Sequence, residues 1–109
     1  MTKAILIHEK LGAIEEIDLD ITPEKNQIYK LLGNRATFIG QWPGIDVCIM
    51  KAEKSKLSKN GNELPRPFSS EEVYGKILLV RMDENSEPQD FTLAEYESFR
   101  NGRNKRVAV

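Results

Sequence analysis

The sequence predicts an α+β fold: a single mainly antiparallel sheet of about five strands, with two short helices packed on it. Three observations carry this reading. Short apolar runs with two-residue alternation are separated by turn residues. Two other segments carry helical start and stop signals. The resulting order, β-β-α-β-β-loop-β-α, is dominated by hairpins and not by parallel crossovers.

The chain has 109 residues, enough for one domain that buries about two-thirds of its unfolded surface without a disulfide. We assign residues 1–102 to that domain and 103–109 to a basic tail, expected to be mobile. Residues 3–8 and 13–20 form the first hairpin, with Gly12 in the turn. In its second strand Ile17 and Leu19 face one way and Glu16 and Asp18 the other. Residues 21–34 read as a helix: Thr22 as cap, Pro23 at the first position, Glu24 at the positive end of the dipole, and Gly33 as the left-handed stop. Ile28, Leu31 and Leu32 form its apolar face.

Residues 35–41 make a third strand, "WPG" (42–44) a turn, and 45–52 a fourth strand. The fourth strand is apolar on both faces, as a centrally placed strand would be. A long irregular connection follows over 53–68, basic in its first half. Residues 69–74 read as one helical turn and 75–83 as the strongest strand. After the turn "ENSEPQ", residues 91–100 form a second helix. Its Thr92 and Glu95 have capping-box spacing, and Asn101-Gly102 is its expected stop.

Composition excludes several chemistries. The net charge is −1, so neither nucleic acid nor an anionic membrane is an expected partner. Cys48 is the one cysteine and reads as an inert thiol inside a strand in a reducing, intracellular compartment. No apolar run has the length of a signal peptide or a membrane span. His8 is the one histidine; it gives no basis for a zinc cluster or a catalytic triad, and it reads as a solvated strand end. Glu15 and Glu16 point to opposite faces of a strand and cannot share a proton. No glycine-rich phosphate loop is present. No catalytic residue, metal or cofactor is expected.

Binding candidates remain. In "LPRPF" two prolines fix φ, so residues 64–68 read as stiff and extended. The segment either straps the core's edge, with Leu64 and Phe68 as buried pegs, or forms a preformed rim. In the rim reading Asn62 and Arg66 offer hydrogen bonds and charge, and Phe68 offers a stacking face. Arg81 closes an apolar stripe begun by Ile77 and Leu79. It either pairs with Asp83 or a carboxylate of a neighbouring strand, or it holds an anion. Trp42 is a core anchor or an exposed contact at its turn; with Pro65 and Pro67 it makes the partner-contact set.

One pattern runs through the second half: Asn62, Leu64-Pro65, Pro67-Phe68, Gly75, Ile77 to Arg81, Asp83, and Asp90 to Tyr96. It resembles a family of small proteins of unknown function from bacteriophages and large DNA viruses, including those of algae. The resemblance implies no activity. It implies a viral accessory protein working in the host cytoplasm by binding. The expected function is therefore non-enzymatic capture of a small nucleotide-like ligand, such as a host immune signal, through Asn62, Arg66, Phe68 and Arg81. The alternative is an adaptor that contacts a host or viral protein through Trp42, Pro65 and Pro67. Open sheet edges suggest a homo-oligomer.

Overall fold

The computed structural model describes residues 2–54 and 58–107, with side chains described through Asn101. The α+β class holds. The strands are β1 (Thr2–Ile7), β2 (Ile14–Leu19), β3 (Ala36–Trp42), β4 (Val47–Ala52), β5 (Ile77–Met82) and β6 (Pro88–Gln89). The helices are α1 (Gln27–Leu32) and α2 (Leu93–Val107). The strands form one sheet in the order β2-β1-β5-β4-β3, with β6 also paired to β5. Each of these pairings is antiparallel.

Placing β5 at the centre follows from its residues. The run Ile77–Val80 is apolar on every side chain and buried throughout, so it needs cover on both faces. One face stacks Ile5, Ile7, Trp42, Val47, Ile49, Ile77 and Leu79 beneath Phe91 and Tyr96 of the α2 region. The other gathers Ala4, Leu6, Leu19, Met50, Leu78 and Val80 with Leu32 of α1. This second cover is incomplete. A six-residue helix is about 9 Å long, whereas a six-residue strand runs about 20 Å.

Several elements depart from the sequence reading. The helix expected over 21–34 is broken into a single 3-10 turn, Pro23–Lys25, and α1. Asn26 stands between them at φ 50°, in the left-handed region. Thr22 makes no side-chain cap; its hydroxyl turns back to Asp20. Gln27 instead reaches the end of β2, accepting from the Asp20 amide at 2.6 Å and donating to the Asp18 carbonyl at 3.0 Å. Gly33 does end α1, at φ 76°. Ile45 and Asp46 belong to the turn and not to β4. Residues 69–74 form no helical turn, and "ENSEPQ" contains the two-residue strand β6. Asn101-Gly102 does not stop α2, whose backbone continues through Val107 into the expected tail; residues 108 and 109 of that tail lie outside the described residues.

The described residues of the long connection from β4 to β5 stay irregular, yet they are fastened. Asn60 is buried, and its side-chain amide donates to the carbonyl of Gly75 at 2.9 Å and lies 3.4 Å from that of Ile7. Its side-chain oxygen accepts from the Asn62 amide at 2.9 Å. Asn62 then grips the β1–β2 turn. It donates to the carbonyls of His8 (2.9 Å) and Lys10 (3.0 Å) and accepts from the Gly12 amide at 2.8 Å. Gly61 between them fits because a Cβ there would meet the Glu9 carbonyl at 3.3 Å. Two asparagines within the loop thus join it to its own last residues at Gly75 and to the first hairpin. Asn60→Ala should lower stability by about 2 kcal/mol or more, because it orphans buried backbone groups; the urea midpoint measures this.

Candidate functional site

The two proline-containing turns meet on the α2 face of the sheet. Trp42, at the end of β3, is 3% exposed, and its indole Nε1–H donates to the Arg66 carbonyl at 3.0 Å. The "LPRPF" segment is not extended. Phe68 N–H bonds the Pro65 carbonyl at 3.2 Å, closing a turn that contains a cis Arg66-Pro67 bond. This turn aims Phe68 inward. Its ring meets Trp42 edge-on at 6.0 Å, and Trp42 packs against Phe99 of α2 at 5.1 Å.

Phe68 also covers Gly40, where a Cβ would come within 2.4 Å of the ring. Gly40 lies beside the irregularity in the β3–β4 register, between Phe38 and Gly40. Glycine is therefore required there by the aromatic ring and not by a turn. Leu64 and Pro65 are buried, Phe68 is half-buried, and Arg66, Pro67, Pro43 and Gly44 are exposed. The sequence reading of buried pegs holds fully for Leu64 and partly for Phe68. Trp42 takes the anchor position, and the exposed-contact alternative does not apply to its ring.

Arg81 is held from three directions. Its Nε donates to the Ile45 carbonyl at 3.1 Å, and Nη1 donates to the Asp90 carbonyl at 3.0 Å and to Glu95 Oε2 at 2.7 Å. Its guanidinium lies 5.0 Å from the centre of the Phe91 ring. The carboxylate partner is on α2 and is not Asp83. Asp83 instead organises the β5–β6 turn, accepting from the amides of Asn85 and Glu87 and from the Gln89 side chain. Glu95 closes the capping box with Thr92, accepting from its amide at 3.2 Å. Partial burial pushes the Glu95 pKa up, but hydrogen bonds from Arg81 and Thr92 outweigh it, leaving it below the usual carboxylate value.

The four ligand candidates therefore do not form one site. Asn62 serves the turn after Ile7, which pairs with Ile77, whereas Arg81 stands at the other end of β5. Four residues of strand separate those ends, about 13 Å. Arg66 offers its side chain to solvent while its carbonyl is engaged. His8 is paired with Glu15 across the first hairpin.

Sequence reasoning missed a groove on the opposite face, beyond the reach of α1. Phe38, Gln41, Asp46, Cys48, Met82, Asp83, Glu84 and Ser86 line about 680 Å³ of open space. Phe38 is 64% exposed there. Cys48 alternates onto that face, the register irregularity between Phe38 and Gly40 turns Phe38 to the same side as Met50, and the shortness of α1 leaves both uncovered. Cys48 is half-buried; burial first and the Asp46 charge second push its thiol pKa up. Among the described residues no group of three or more His, Cys, Asp or Glu could hold a metal, and no helix is long and apolar enough to cross a membrane.

Residues 5–99 match the model of a family of unknown function, DUF5880, and the chain belongs to that family. No curated protein and no solved structure matches the chain.

Two outcomes follow from the geometry. Gly40→Ala should cost about 1–3 kcal/mol through overpacking against Phe68. In a Phe68→Ala background the same change should cost little, and a double-mutant cycle of urea midpoints reads the coupling. The second outcome concerns acid. A carboxylate whose folded pKa is depressed contributes stability above its unfolded value of about 4.3, and that contribution is lost as pH falls through the folded pKa. Glu95→Gln should therefore lower the urea midpoint at pH 7 and flatten its decline below pH about 4.

Proposed function

We propose that the protein is a non-enzymatic adaptor that contacts a protein partner through a rigid knob made of the Trp42 turn and the Pro-rich turn. The observation that carries this reading is the hydrogen bond from Trp42 Nε1 to the Arg66 carbonyl. It fuses two turns that are distant in sequence and leaves Pro43, Gly44, Arg66 and Pro67 exposed on one prefilled base. A surface built this way loses little conformational entropy on binding. Its contact residues are Pro67, Pro43 and the Arg66 side chain, while Trp42 and Pro65 act from beneath.

The nucleotide reading is less well supported. It needs a free fork of donors and an open ring, whereas Arg81 is bonded within the fold and Phe68 covers Gly40. On the resemblance of its second-half pattern to phage and large-virus proteins, the setting we propose for the adaptor is viral, with a host or viral protein as its partner.

Two measurements test this. A thermal-shift screen against cyclic and linear nucleotides should give no shift; a true ligand at one hundred times its Kd would add about 2.7 kcal/mol. A photoreactive residue at position 66 or 67 of the full chain, expressed in cells, should trap one discrete protein. The same probe at Glu24, on an exposed 3-10 turn near α1, should not. Capture should also disappear in Pro43→Asp with the urea midpoint unchanged. Equal capture from both positions, or none from the knob, would refute the adaptor.

A further inference from the structure

The groove beyond α1 has a chemical character of its own. Its floor is Phe38, Cys48 and Met82, and three of its eight lining residues, Asp46, Asp83 and Glu84, are acidic. Among the described residues no lysine or arginine lines it. Asp83 keeps its charge while it organises the β5–β6 turn: the Glu87 amide foremost, then the Asn85 amide and Gln89, hold its pKa below the ordinary value. The groove thus pairs an apolar floor with a negative rim, which suits a segment carrying cations beside apolar side chains.

The segment after Gly102 has this character. Residues 103–109 read "RNKRVAV", three cations among the first four residues followed by three apolar residues. Arg103, Lys105 and Arg106 lie in α2. That helix packs through Leu93, Tyr96 and Phe99 on the other face of the sheet.

We propose that the acidic groove receives the basic end of α2 from a second copy of the chain. Reciprocal insertion closes a two-fold dimer, in which each copy supplies one groove and one basic segment. The inference is independent of the knob, which lies on the opposite face.

Light scattering and Cys48 labelling together test it. At hundreds of micromolar and low salt, the full chain should scatter as twice its 12.4 kDa mass, and the larger species should weaken as salt screens the pairing. Glu84→Lys alone should give the 12.4 kDa species, as should the triple change Arg103→Glu, Lys105→Glu, Arg106→Glu. Cys48, the one thiol and a groove residue, reports occupancy directly. A synthetic peptide of residues 100–109, added to the monomeric triple variant at ten times its Kd, should slow labelling about tenfold. Glu84→Lys should remove that protection. A chain that stays at 12.4 kDa throughout, a dimer indifferent to both charge changes, or a peptide that leaves Cys48 labelling unchanged would each overturn the proposal.

Discussion

The described residues of the connection between β4 and β5 must satisfy their backbone polar groups without a helix and almost without a strand. The α2 face of the protein depends on how it does so. Buried amides and carbonyls left unpaired cost about as much as a lost hydrogen bond each. Asn60 answers most of this demand, because a side-chain amide has donors and an acceptor in one plane and can stand in for a missing strand. It fixes the loop to Ile7 and Gly75, and Asn62 extends the fastening to the β1–β2 turn. Leu64 and Phe68 can reach the core only because the loop's path is already set at residues 60–62.

The same economy explains the candidate site. Side chains with the strongest recognition chemistry are employed within the fold. Arg81 ties the end of β5 to the Ile45 turn, the Asp90 backbone and α2. Trp42 ties the end of β3 to the Pro-rich turn. What remains for a partner is shape: a prefilled knob on one face and a half-covered groove on the other. Both are suited to contact with protein surfaces more than to enclosing a small charged molecule.

Much of the architecture was legible in the residues. The alternation in β2, the two-sided hydrophobicity of β4, the Gly33 stop and the Thr92–Glu95 box all read correctly, because each depends on neighbours within a few positions. What failed depends on distance. The partner of Arg81 comes from α2, fourteen positions on, and a strand-based reading looked for it on the adjacent strands. Asn62 looked like a free donor because its acceptors, His8 and Lys10, lie more than fifty positions away. The break at Asn26 was hidden because Thr22, Pro23 and Glu24 signal a helix start equally well for a 3-10 turn. The groove could not be read at all, since it exists only where a helix is too short.

The strand order carries one further consequence, for the sequence of events in folding. β1 with β2 and β3 with β4 are two local hairpins, and β5 alone lies between β1 and β4. Until β5 is inserted, the halves share no ladder, and a two-stranded hairpin is marginal in water. During synthesis, therefore, each hairpin emerges early yet waits for residues 77–82 before the sheet exists. α2 follows later still with the cover for one face. Commitment to the fold waits for β5, and until then the two hairpins offer apolar surface to chaperones.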